Sequence, residues 1–251
     1  MATIVTLRLG NHPFAPTLVA TILTIVSVAV FARLGFWQLS RAAEKQALHA
    51  RYSAGQQSVL ELTPVTARAV SRYQRISARG HYDVAQQVLL DNMPSVMGQP
   101  GYRVVTPFEL EPGAWILVDR GWHPMGKTRA DLPDVAVPDA ARTITGQMDA
   151  LPKPGVRLGD GAATDAQTWP RVLNFPEHAA IETALGRKIL PGLVLLDPDQ
   201  PDGYERVWRA RAETSMDPQQ HYGYAVQWFA FSLVAVVLYV ILGLRRGRMI
   251  R

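Results

Sequence analysis

Two uncharged apolar runs of membrane length, one near each end of the chain, constrain everything between them. Residues 17–32, "TLVATILTIVSVAVFA", hold no charged side chain, and continuing past Arg33 to residue 39 reaches the ~20 residues that cross a bilayer core. Residues 222–244, "YGYAVQWFAFSLVAVVLYVILGL", are uncharged throughout. Hydrocarbon offers a backbone no hydrogen-bond partners, so each run must satisfy itself as a helix.

The flanks orient these helices. Arg33 sits near one membrane face with its aliphatic stem snorkelling, and Phe36 and Trp37 beside it suit an interfacial aromatic belt. The first run also has the form of a cleaved signal peptide, with Arg8 as the basic region and Val30 and Ala32 before a cut. Apolar sequence resumes after Arg33, however, which favours a span. The second run ends directly on "RRGRMIR", and positive charge marks the cytoplasmic side. The expected organisation is therefore a cytoplasmic N-terminus (1–16), a transmembrane helix (17–39), an extracytoplasmic domain with a helical stalk (40–220), a second transmembrane helix (221–244) and a cytoplasmic basic tail (245–251).

The net charge of +5 does not point to nucleic acid, because four arginines lie in that tail and no basic cluster interleaved with aromatics appears elsewhere. The absence of cysteine excludes disulfides, thiolate metal sites and cysteine nucleophiles.

After the first run, "SRAAEKQALHARYSA" has helical composition, and Pro64 ends any helix there. Seven β-branched or alternating runs follow: residues 75–83, 86–92, 101–110, 114–122, 142–150, 188–197 and 204–213. With no helix among the first four, they argue for an antiparallel sheet or small barrel. One helix is expected at 176–186, opened by proline and closed by glycine. Two loops rich in Pro, Gly and Asp, 124–140 and 152–170, read as mobile or partner-facing. The fold class is thus a membrane α+β protein, two transmembrane helices flanking a mainly antiparallel β domain with one short helix.

Candidate chemistry is sparse. His81 and Asp83 share a strand face at the spacing of an imidazole and its orienting carboxylate, or simply mark a strand end entering a turn. Asp119 and Arg120 point to opposite faces, Gly121 suggests a bulge or close backbone approach, and Trp122 packs or forms a contact surface. No nucleophile elbow, metal-binding H-E-x-x-H, phosphate loop or dinucleotide fingerprint occurs. His12, His49, His123 and His178 are scattered, as surface residues are. His221 stands at the mouth of the second run, with Tyr224, Ala225, Trp228 and Ser232 on roughly its helical face. Imidazole is a standard axial ligand of haem iron; an interfacial anchor within an ordinary aromatic belt is the other reading.

Taken in order, "LGFWQLSRAAEK", "GHYD", "VLLDNMPSVMGQPGYRVVTPFEL", "WILVDRGWHP" and "HYGYAVQWFAFS" resemble the Surfeit locus protein 1 family of cytochrome c oxidase assembly factors, from about residue 34 to residue 244. His123 stands where an aliphatic residue is expected, and the loops after Pro124 and Pro152 have their own lengths. The resemblance implies a non-enzymatic assembly factor that helps insert or stabilise haem a in the oxidase catalytic subunit, with His221 as the haem-binding residue. Tyr224 and Trp228 would line the cofactor, and haem a synthesis machinery is a further expected partner. Trp37, Arg120, Gly121 and Trp122 are the candidates for partner contact. The short N-terminus has no arginine- and serine-rich transit peptide, which suggests a bacterial plasma-membrane form. A scaffold that binds oxidase subunits without haem, and a membrane-anchored metalloenzyme using His81 and Asp83, are the competing readings.

Overall fold

The computed structural model describes residues 7–9, 12–111, 113–152, 168–174, 176–208 and 217–249. By its contacts the chain divides into two compact units, Met1–His49 with Arg211–Arg251, and Ala50–Ala210.

The first unit is a helix pair. A hairpin of β1 (Leu7–Leu9) and β2 (His12–Phe14) precedes α1 (Leu18–Gln56), and α3 (Pro218–Met249) closes the chain. Both helices are long and apolar enough to cross a membrane, and only 6% of each most apolar window is covered by protein. α1 continues without a break from the apolar run through the alanine-rich segment, so span and stalk form one element. The described part of the pair joins along a seam that repeats about every seven residues. Thr21, Phe31, Gly35, Gln38 and Ala42 of α1 face this seam, as do Tyr239, Trp228, Ala225 and His221 of the antiparallel α3. At Gly35 an added Cβ would lie 2.7 Å from the Phe229 ring. Small residues let the backbones approach, which is how helices associate where lipid removes the hydrophobic drive.

The second unit is a β-barrel with added strands. Its strands are β3 (Val59–Glu61), β4 (Arg75–Tyr82), β5 (Val88–Leu90), β6 (Gly101–Leu110), β7 (Ala114–Pro124), β8 (Arg142–Asp149), β9 (Arg171–Leu173) and β10 (Leu193–Leu196). A short helix, α2 (His178–Leu185), precedes β10. The ladder runs β4–β8–β10–β7–β6 and closes because β4 also pairs with β6, Gly80↔Leu110 to Tyr82↔Phe108. In chain order the five barrel strands neighbour one another first–second–third–fifth–fourth–first, with β7 and β10 parallel. This is the connectivity of an OB-type Greek-key barrel. Closure turns on Gly80, where β4 leaves β8 for β6: a Cβ there would meet the Glu109 carbonyl oxygen at 1.8 Å.

Strand alternation divides the apolar side chains among three cores, the smallest being Leu89, Tyr102, Val104 and Val135. Ile76, Ala78 and Tyr82 of β4, Phe108 and Leu110 of β6, and Ile116 and Val118 of β7 fill the barrel. Leu117, Val105, Leu193 and Leu195 face outward beneath α2, where Ile181 and Leu185 cover them. α2 ends on Gly186, whose left-handed backbone (φ 67°) lets its N–H cap the Glu182 and Thr183 carbonyls.

The architecture agrees with the expected fold class, and six of the seven expected strands are present. The seventh differs: Glu205 only bridges Trp122, and residues 209–213 of that run lie outside the described residues. Three of the strand pairings are parallel, β3–β4, β5–β9 and β7–β10. The loop 124–140 also departs from expectation, since Val135 and Val137 are buried and anchor it to the barrel. Of the second expected loop, residues 153–167 lie outside the described residues.

Candidate functional site

His221 lies in the first turn of α3, and only 9% of its surface is exposed. Its Nδ1 is 2.7 Å from the Gln38 side-chain oxygen of α1. That oxygen can only accept, so Nδ1 is the donor and the ring is held by that edge. A hydrogen bond of this kind, holding one ring nitrogen and presenting the other, is how proteins orient an imidazole that ligates a metal. The next residue of α3 makes a second polar tie to α1: the Tyr222 hydroxyl donates to Gln46 Oε1 at 3.1 Å.

The structure separates the other residues expected on this face. Trp228 stacks on Phe31, with ring centres 5.8 Å apart and planes 24° apart, so its ring is engaged in the helix seam. Ala225 and Ser232 share the seam side, whereas Tyr224 is 45% exposed on the flank. Trp37 is exposed on α1, with the Arg41 guanidinium over its ring. Gln38 was not singled out from the sequence, although a polar side chain one residue after an aromatic belt and on the seam face was the available signal.

The segment Asp119–Trp122 sits at one end of the barrel. Arg120 is 1% exposed and points inward. Its guanidinium donates to the carbonyls of Asp202 at 2.7 Å and Val135 at 2.8 Å, and to Gln87 Oε1 at 3.1 Å and Thr106 Oγ1 at 3.3 Å. The rings of Tyr82 and Tyr204 flank it at 5.7 and 5.2 Å. One side chain thus fastens β7 to the loop at 135 and the turn at 202. Desolvation holds the Arg120 pKa below its ordinary value, and the same burial raises the Tyr82 hydroxyl to about 12.

Asp119 faces the other way and is fully buried against Arg103. Burial raises its carboxyl above the usual range, while Arg103 and the Gly121 N–H, 3.0 Å from Oδ1, oppose that shift. Gly121 has φ 114°, and a Cβ would clash with the Glu205 carbonyl oxygen at 2.8 Å, which accounts for the glycine by close approach. Trp122 donates from Nε1 to the Met93 carbonyl at 2.8 Å. Arg120 and Gly121 are therefore interior, and they affect a surface only through the loops they position.

His81 and Asp83 are not brought together. His81 Nε2 lies 2.9 Å from Glu109, and Asp83 binds Arg187 at 2.6 Å. Among the described residues no cluster of three or more His, Asp or Glu could hold a metal ion.

Comparison with known proteins matches these features to one family. The SURF1 family model covers residues 25–233, from within α1 to the middle of α3. An uncharacterised SURF1-like protein of Mycobacterium tuberculosis is 25% identical over 87% of this chain and 79% of its own length. A SURF1-like protein of Rickettsia felis is 24% identical over 88% of this chain and 95% of its own length, and one of Rickettsia conorii is 24% identical over 87% and 89%. With the whole barrel and the greater part of α1 inside the matched span, which covers well over half of the sequence, the chain belongs to the SURF1 family.

Proposed function

We propose that this protein is a non-enzymatic assembly factor for a haem-copper cytochrome oxidase in a bacterial plasma membrane, with both termini cytoplasmic and the barrel outside. In this reading it assists the insertion or stabilisation of haem a in the oxidase catalytic subunit, and His221 is the residue that meets the haem. The supporting observation is the Gln38 hydrogen bond, which holds the imidazole through Nδ1 at the end of an apolar helix and so leaves Nε2 as the nitrogen that would meet a ligand. The donor set fits a group that needs one neutral nitrogen ligand: His221 supplies it, Gln38 orients it, and Tyr224 offers an exposed ring beside it. Bound there, haem would supply an iron centre able to take a nitrogen donor.

The test is haem content of the full chain purified from cells that make haem a, measured as pyridine haemochrome. His221→Ala should lose haem while protein level and membrane insertion stay unchanged. Gln38→Leu, which removes the orienting acceptor, should lower occupancy ~10–100-fold in affinity. The near-complete burial of His221 favours a second reading, in which the His221–Gln38 bond only locks the helices and the protein docks oxidase subunits without haem. Equal haem content and equal oxidase assembly in wild type and both variants would support that reading and remove His221 as a ligand.

A further inference from the structure

The segment leading into α1 and the last turns of α3 meet around a cleft that is separate from His221. Phe14 of β2 lies against Gly243, where an added Cβ would come within 2.1 Å of its ring, and the Ala15 N–H donates to the Gly243 carbonyl at 3.0 Å. Phe14 also meets Tyr239 edge to face at 5.5 Å, and Tyr239 in turn shares a hydrogen bond with Thr21 at 2.9 Å. The hairpin is thereby fixed against the last turns of α3. Beside this contact is a cleft of about 490 Å³, with Ala20 and Leu242 among its apolar walls and Arg245 and Arg246 on its rim.

We propose that this cleft binds one phospholipid with an anionic headgroup. Two chemistries meet there at one level along α3. The uncharged run of α3 ends at Leu244 and the arginines begin at the next residue, so the cleft straddles the point where hydrocarbon gives way to headgroups. Arg245 is exposed, and a guanidinium pairs two oxygens of a phosphate in its planar fork. Ala20 and Leu242 belong to the uncharged runs and offer acyl carbons an apolar wall. Water or a soluble anion satisfies only the rim, and an uncharged alkyl chain only the wall. A lipid of net negative charge satisfies both, and basic pockets between transmembrane helices select such headgroups.

The experiment is native mass spectrometry of the full-length chain, delipidated in detergent and titrated with phosphatidylglycerol, phosphatidylcholine or inorganic phosphate. One phosphatidylglycerol should be retained at a concentration at least ~10-fold below that needed for phosphatidylcholine, a ratio set by the arginine contacts, and phosphate should not compete. Arg245→Gln with Arg246→Gln should abolish the preference. Ala20→Leu, which fills the wall and leaves the charges, should weaken retention of both lipids. Equal retention of the two lipids overturns the proposal, as does displacement by phosphate. An unaltered affinity in Ala20→Leu would reduce the site to surface charge and equally overturn it. Should the arginine variant fail to insert, the titrations of the unmodified chain decide.

Discussion

Replacing Arg120 by methionine tests the claim that a single interior cation organises one end of the barrel. The two short bonds, to the carbonyls of Asp202 at 2.7 Å and Val135 at 2.8 Å, are charge-assisted and contribute ~1.5–3 kcal/mol each. The contacts to Gln87 and Thr106 are longer and add less. Methionine fills much of the volume and removes the desolvation cost that depresses the Arg120 pKa, which offsets part of the loss. The balance is a destabilisation of about 3 kcal/mol, roughly a hundredfold in the folding constant. All three apolar clusters lie within Ala50–Ala210, so that unit carries its own core and can be studied alone. Urea denaturation followed by tryptophan fluorescence should move the midpoint down by ~1.5 M, for a slope of ~2 kcal/mol per M. Limited proteolysis should then cut near residues 135 and 202. Arg120→Lys should fare little better, because an ammonium cannot reproduce the fork that reaches both loops. A methionine variant within ~1 kcal/mol of wild type, or full rescue by lysine, would refute the reasoning.

Asp119 should give the barrel a distinctive pH dependence. Its folded pKa is raised by burial, so between the ordinary carboxylate value and that raised value the folded state holds the proton and the unfolded state does not, and its contribution to stability falls as pH rises. Lowering the pH towards the ordinary carboxylate value should therefore shift stability in favour of wild type relative to Asp119→Asn; parallel curves in chemical denaturation would contradict this. In the helix pair, Gly35→Leu forces a branched side chain into space held by the Phe229 ring, at a cost of ~1–3 kcal/mol. Because the chain has no cysteine, the pairing can be read by introducing cysteines at Thr21 and Tyr239 and cross-linking them. The yield should drop in the Gly35→Leu background, and an unchanged yield would mean that this seam does not depend on close approach.

How far the sequence disclosed these features depends on the range of the interactions involved. The spans were legible because hydropathy over twenty residues is a local property, and the strands at 101–110 and 114–122 because they alternate and are separated by a glycine turn. β3 and β9, three residues each, are too short to show a period; they exist because β4 and β5 offer edges to pair with. The run at 204–213 has strand composition, yet Arg206 turns its side chain to the carbonyls of Asp197, Pro198 and Gln200, and those tertiary contacts replace a ladder. Opposite-facing Asp119 and Arg120 followed from strand geometry. Their burial did not, since adjacent charges usually mark a surface, and it takes the whole barrel to supply the partners that make both tolerable.

The same distinction bears on His221. Seen along α3 alone, the imidazole has aromatic neighbours at helical spacing and nothing that fixes its proton. The residue that does so, Gln38, is supplied by the other helix, 183 positions away in the chain. The orientation of the imidazole is therefore a property of the helix pair. It persists only while Gln38 stays within hydrogen-bond reach of Nδ1, and that reach depends on the close approach that Gly35 permits one turn away. Widening the seam at Gly35 removes the acceptor from Nδ1 and frees the ring to turn. Helix association and the orientation of the His221 ring are thus linked, so a partner helix that separates this pair would also release the ring from Gln38.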